Sequence, residues 1–414
     1  MHIAVTGVGI VSALGVGKKV TLDALRTGRS GIVAAPTHFA TRNRLPVGEV
    51  ALDNAQLQQL LGLSGCHSRT ALLGILAASE ALQDAGASRP RTALVSATSV
   101  GGMDLTEQFF PQFMQDDRLG RLRQVMHHDC ADSTISIARY CGIDGFVTTI
   151  STACSSAANA LMLAVRLLRH GVADRVVAGG TDSLCRFTLN GFKSLMILDS
   201  APCRPFDESR AGLNLGEGAA YLILERAEDA AGEPYCFLDG FANANDAFHQ
   251  TASSADGEGD YLAMRGALEM AGITPEQVDY INVHGTGTPN NDLSEGVAMQ
   301  RLFSERIPAF GSTKPFTGHT LAAAGGIEAA FCVLALRHGE LYPHLHFARQ
   351  DPQLGLTPQL HYEQRPLQYL LSNSFGFGGN CASLLFASSR RTTSQTPPRT
   401  DTASRASCTS WTRS

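Results

Sequence analysis

The sharpest constraint in this 414-residue chain is a change of rhythm around Cys154. A β-branched run, Phe146-Val147-Thr148-Thr149-Ile150, passes through Ser151-Thr152-Ala153-Cys154-Ser155-Ser156-Ala157 into a helical stretch over 157–169. Such a strand-to-helix junction presents a side chain at a helix N-terminus, where free N–H groups and the positive end of the dipole favour an anion. A thiol there is expected to ionise below the roughly 8.5 of a free cysteine. Cys154 therefore reads as a nucleophile.

The rest of the chain supplies alternating strands and helices. Residues 3–11 predict a strand and turn. Gly7 and Gly9 suggest a dinucleotide loop, but Ser12 stands where its third glycine belongs. Helices are predicted at 18–28, at 69–85 before Gly86, and at 260–271 before Gly272. Strands are predicted at 92–97, 174–180, 216–225, 235–241 and 278–283. Such alternation implies an α/β architecture with helices on the sheet faces. The length allows two domain-sized units. A charged, alanine-rich stretch at 225–233 places their boundary, giving 1–230 and 231–389. Residues 390–414 are Ser, Thr, Arg and Pro without periodicity, which predicts a disordered tail, and Trp411 within it has no core role.

An internal echo suggests duplication. The helix after Cys154 ends in Leu168-Arg169-His170-Gly171, and a helix after Gly318-His319-Thr320 ends in Leu336-Arg337-His338-Gly339. Two copies of one unit would bring Cys154 and His319 to equivalent helix starts.

Composition narrows the function. A net charge of −5 without a basic stripe excludes an ordinary nucleic-acid binder. No apolar run near the ~20 residues of a membrane span is evident, and the first residues lack the pattern of a secretory signal. Ten cysteines without framework spacing point to reduced thiols and a cytoplasmic setting. His127-His128-Asp129-Cys130 invites a metal, but adjacent ligands rarely reach one ion, so none is expected.

Three further loops carry chemistry. His284 ends a strand and is followed by Gly285 and Gly287, which leave backbone approachable, alternating with Thr286 and Thr288. Lys314 lies five residues before His319, and Glu328 follows, so an ion pair near the histidines is expected. In Asn373-Ser374-Phe375-Gly376-Phe377-Gly378-Gly379-Asn380, two aromatics among glycines suggest a gate over an apolar channel.

Together these segments resemble an elongating, decarboxylating β-ketoacyl-[acyl carrier protein] synthase of the thiolase superfamily. The matches are Thr152-Ala153-Cys154-Ser155-Ser156, His284-Gly285-Thr286-Gly287-Thr288, Ser312-Thr313-Lys314, Gly318-His319-Thr320 with Ala323-Ala324-Gly325, and 373–379, in order and over about residues 2–387. The resemblance implies a thiolase-like duplicated αβαβα five-layer sandwich, a dimer, and no permanently bound cofactor, with substrates carried on the phosphopantetheine of acyl carrier protein. It implies that Cys154 takes an acyl chain as a thioester and that His284 and His319 assist decarboxylation of the malonyl partner. Cys154 and Phe377 N–H groups would form an oxyanion hole, and Lys314 and Glu328 a supporting pair. Thr286 and Thr288 would contact phosphopantetheine. Phe377 would gate with Phe375 beside it, and Phe192 and Val100 would line the acyl pocket.

The chain departs from the family pattern at Ala211 and Leu213, which replace aspartate and phenylalanine, and at Asn380-Cys381, which replace Thr-Asn. Met196 stands where an arginine often meets carrier protein, and Gly65-Cys66-His67 is poor in bases, which leaves Arg118, Arg121 and Arg123 for docking an acidic partner. These departures leave open a specialised ketosynthase of aryl polyene or type II polyketide synthesis, paired with a chain-length-factor-like subunit. A thiolase would use a second cysteine, with Cys381 as candidate. A chalcone-synthase-like enzyme would carry Asn where His319 stands, and a chain-length factor would lack Cys154.

Overall fold

Strand β1 (Ile3–Ser12) is buried along almost its whole length. The sequence suggests a turn at its glycines, but they lie inside the strand. A Cβ on Gly9 would sit 1.9 Å from the carbonyl oxygen of Ala77. The glycines let helix α1 (Arg69–Ala85) press its backbone onto the strand. The structure, a computed structural model, describes residues 1–39, 41–86, 91–304 and 306–388, so the predicted tail at 390–414 and Trp411 lie outside the described residues.

Four more strands complete the first sheet: β2 (Thr92–Ala97), β3 (Val147–Ile150), β4 (Arg175–Asp182) and β5 (Gly218–Arg226). A second set follows: β6 (Cys236–Asn245), β7 (Tyr280–Asn282), β8 (Ala309–Gly311), β9 (Tyr369–Gly376) and β10 (Asn380–Ala387). The first set runs β1-β5-β4-β2-β3 and the second β6-β10-β9-β7-β8. Their pairings match as well. β1–β5 and β4–β5 are antiparallel, as are β6–β10 and β9–β10; β2–β4 and β2–β3 are parallel, as are β7–β9 and β7–β8. The internal echo is thus a duplicated topology. The sets join where β1 meets β6, at Ala4↔Phe237 and Val5↔Cys236.

Between the sheets lie helices α2 (Ser156–Arg169) and α5 (Ala324–His338), and the largest apolar cluster combines both with residues from both sheets. A second cluster packs α1 on the outside of the first sheet. A third packs α3 (Glu258–Ala271) and α4 (Pro289–Phe303) outside the second. Helix, sheet, helix pair, sheet, helix gives the five layers of the expected αβαβα sandwich.

Helix α5 is apolar on every side because it is surrounded by protein. The Leu321–His338 segment reaches a mean hydropathy of 1.3 and is long enough to cross a membrane, contrary to the sequence reading, yet 89% of it is buried inside the fold. It is a core helix. At its start a Cβ on Gly325 would lie 3.0 Å from the backbone N of Ala158, so this glycine lets the α2 and α5 starts touch.

No clear elements are predicted between residues 107 and 139, where the structure has helices Met103–Gln115, Leu122–Met126 and Cys130–Cys141. The suspected metal cluster there is dispersed. His127 pairs with Asp132 at 2.9 Å, His128 meets Thr106 at 3.0 Å, and Asp129 caps the Cys130–Cys141 helix.

Candidate active site

The duplicated helices present their starts to one another. Cys154 sits just ahead of α2 and His319 just ahead of α5, with Cys154 Sγ 3.0 Å from His319 Nε2. His284 follows β7, and its ring lies edge-on to His319 with centroids 5.4 Å apart. All three residues are buried. Ala153 and Leu321, beside the nucleophile and the histidine, both have φ of 54°, a left-handed conformation that non-glycine residues adopt at a cost of roughly 1–3 kcal/mol.

Ligand atoms of Cys154, His284 and His319 lie within 4.8 Å of one another, a spacing that suits a metal. The hydrogen bonds behind the rings argue otherwise. His319 Nδ1 accepts the Leu321 N–H at 3.2 Å, and His284 Nδ1 faces the Lys314 ammonium at 3.2 Å. An ammonium has no acceptor, so both rings carry their proton on Nε2 and aim it into the site. Metal-bound histidines do the reverse, donating from the second nitrogen. The pair is built to donate to an oxygen acquiring negative charge.

Burial dominates the electrostatics. It pushes the Cys154 thiol up to about 11, against the opposing pulls of Lys314 and of the Phe377 and Cys154 N–H groups. The expected readily ionised thiol is therefore not what the fold holds at rest; desolvation outweighs the helix terminus. Burial, with Lys314 close by, holds both histidines well below the ordinary 6.5, so they are neutral. Lys314 binds Glu328 Oε1 at 2.5 Å and donates to the His284 carbonyl oxygen. Burial lifts Glu328 to about 7, with Lys314 opposing.

Two acids that sequence reasoning missed hold these groups in place. Glu295 on α4 accepts the N–H groups of His284 and Gly285, each at 2.8 Å, and the Asn373 amide at 3.0 Å. Asp182 accepts the N–H of Val100 at 3.0 Å and of Ala322 at 2.9 Å, tying together two loops around the nucleophile. Glu295 is the seventh residue of α4, past the N3 position from which an acid caps back onto the preceding loop, so it carried no standard signal. Asp182 and its partners are remote in sequence and left none.

Two cavities meet at Cys154. One of about 340 Å³ is lined by His284, His319, Thr286, Thr288 and Phe375. The other, of about 210 Å³, is lined by Val100, Met103, Phe187, Thr188 and Leu321. Phe192 and Phe377 line both, stacked with centroids 5.7 Å apart and planes 17° from parallel. The structure thus gathers the candidate catalytic and substrate-binding residues around one thiol. Of the three arginines, Arg121 and Arg123 share a separate cleft with Gly65, Cys66 and His67, whereas Arg118 pairs with Asp116 at 2.8 Å.

A duplicated αβαβα sandwich whose halves contribute a cysteine and a donor histidine at matching helix starts is the thiolase-like condensing architecture. The sequence profile of the β-ketoacyl synthase N-terminal domain matches residues 1–230, and that of the C-terminal domain matches 235–348. The 3-oxoacyl-[acyl-carrier-protein] synthase 2 of Staphylococcus aureus (strain MRSA252) is 31% identical, over 93% of this chain and 98% of that protein. The structure of the ishigamide ketosynthase/chain length factor superposes with a TM-score of 0.89 at 27% identity, covering 93% of this chain and 98% of that one. A type II polyketide ketosynthase, AntDE, in complex with its acyl carrier protein AntF, does so at 0.85 and 27% identity, over 93% and 99%. This chain belongs to the β-ketoacyl synthase family, whose members are condensing acyltransferases.

Proposed function

We propose that this chain elongates an acyl group carried by acyl carrier protein, by decarboxylative condensation with a malonyl unit on a second carrier, in fatty acid biosynthesis. The observation that carries this reading is the pair of neutral histidines whose Nε2–H groups flank Cys154 Sγ.

In the first half-reaction Cys154 Sγ attacks the acyl thioester carbonyl. The new C–S bond forms, the bond to phosphopantetheine breaks, and the proton of Cys154 leaves with the carrier thiol. The oxyanion between these events is held by the Cys154 and Phe377 N–H groups. In the second half-reaction the C–C bond to the malonyl carboxylate breaks, releasing CO2. His284 and His319 donate to the thioester oxygen as the enolate forms. That carbanion attacks the acyl-Cys154 carbonyl, the new C–C bond forms and the acyl–Sγ bond breaks, giving the 3-oxoacyl carrier thioester and a Cys154 thiolate that takes a proton from solvent. Lys314 and Glu328 fix the His284 tautomer.

Thr286 and Thr288 would meet phosphopantetheine in the larger cavity, with Phe375 beneath His284. Phe192 and Val100 would contact the acyl chain in the smaller one. The stacked Phe192 and Phe377 would part to admit it. No bound cofactor is required by this scheme. Arg121 and Arg123, with Arg118 nearby in sequence, would receive the acidic carrier. Residues 1–230 and 231–389 would be the two halves, working in the cytoplasm as a dimer.

A second reading is a specialised ketosynthase, for polyene or type II polyketide synthesis, that pairs with a chain-length-factor-like subunit. It is favoured by structural neighbours described as complexes of a ketosynthase with a chain length factor, and by Met196, 87% exposed where an arginine is often found. Intact-mass measurement of the protein offered a panel of acyl carrier thioesters decides between them. Saturated chains on Cys154 support the first reading and polyene or polyketide chains the second. Absence of any adduct that Cys154→Ala removes would sink both.

A further inference from the structure

Asn380, one of the departures from the family pattern, opens β10 directly after the Phe377–Gly379 turn and lies opposite Gly376. Its Oδ1 accepts from Ser155 Oγ at 2.6 Å, from Asn159 Nδ2 at 2.9 Å and from Asn243 Nδ2 at 2.9 Å. Ser155 is the N-cap residue of α2, yet its hydroxyl makes no capping bond. It is directed at Asn380 and at the Thr152 carbonyl, 2.8 Å away. Asn159 also donates to Thr152 Oγ1 at 2.9 Å. One amide oxygen thus gathers donors from both the nucleophile loop and α2.

The two segments it joins are in close contact. A Cβ on Gly376 would lie 3.1 Å from the Cys154 nitrogen and 3.2 Å from the Thr152 carbonyl oxygen. These are the segments that carry the Cys154 and Phe377 N–H groups. Two donors serve an oxyanion only when both lie about 2.7–3.1 Å from one oxygen position, and donors on separate loops keep that spacing only if the loops are tied. We infer that Asn380 is a positioning residue that sets the spacing of this N–H pair for acyl transfer. The inference rests on the condensing reading above. It separates the half-reactions, because the donors for decarboxylation come from His284 and His319, on segments to which Asn380 makes no hydrogen bond.

The test measures both half-reactions in Asn380→Ala. Acyl transfer from a carrier thioester to Cys154 is followed by intact mass, and CO2 release from malonyl carrier protein is measured separately. A misplacement of about 1 Å costs on the order of 100-fold. The expected result is a loss of roughly 10- to 100-fold in the transfer kcat with KM nearly unchanged, and decarboxylation within about twofold of the parent. Ser155→Ala, which removes a donor from the other side, should give the same split, and the double variant should be no slower than the slower single one. Equal loss of both half-reactions, unchanged transfer in Asn380→Ala, or additive effects in the double variant would overturn the inference. Absence of acyl transfer in the parent protein would instead overturn the condensing reading.

Discussion

At the scale of single residues, the cluster separates a nucleophile from its donors. Cys154→Ala should abolish acyl transfer with the thermal midpoint nearly unchanged, and His319→Ala should lose malonyl decarboxylation; parent-like rates in either would refute the assigned role. Because both histidines titrate well below 6.5, decarboxylation should be flat with pH between about 6 and 8, and a step near 6.5 would contradict neutral donors. Glu295 gives a stability prediction. Burial raises its pKa from 4.5 to about 8, so the folded state holds this proton more tightly than the unfolded one. The associated stability is fully present below 4.5 and is lost as pH rises through 8. Glu295→Gln, an isostere of the protonated acid, removes that slope, so the variant should stay close to the parent near pH 4.5 and become the more stable of the two as pH rises towards 8. Denaturant titrations at several pH values would show it. Cys154, His284, His319 and Lys314 were legible because glycines, threonines and abrupt changes of periodicity surround them. The thiol's resting state was not, since desolvation depends on layers assembled from both ends of the chain.

At the scale of elements, helix α1 and strand β2 were readable to the residue, because an alanine- and leucine-rich run and a β-branched run each end at a clear stop. The helices between 103 and 141 were obscure for a physical reason. Phe110, Phe113, Met114, Leu122 and Met126 are exposed there, so apolar residues do not all mark the buried face, and Pro111 interrupts the pattern of the Met103–Gln115 helix. β1 misled differently, since its glycines serve packing and not a turn. Gly9→Ala should therefore cost about 1–3 kcal/mol or more, by forcing α1 off the strand, and a denaturant midpoint unchanged within error would contradict that packing.

At the scale of the whole molecule, the duplication was faintly visible as a repeated helix ending, but the shared core was not, because no local pattern reports that two distant helices share one layer. The first 230 residues contain all five strands of the first sheet but only one of the two central helices. Expressed alone, residues 1–230 should fail to give a cooperative thermal transition, whereas the full chain should unfold in one; a sharply folding fragment would show that the halves are independent. The central helix pair also sets a schedule for biosynthesis. The inner face of α2 is complete once Arg169 has been made, but its partner begins only at Ala324. At about 5–20 residues per second, that surface waits roughly 8–30 s for its cover. During that interval the nascent chain carries the apolar half of an enzyme interior into a crowded solution, and the segment that will cover it is itself apolar enough to be bound by other hydrophobic surfaces first. The layer that keeps the thiol dry in the finished protein is therefore the one most dependent on protection while the protein is being made.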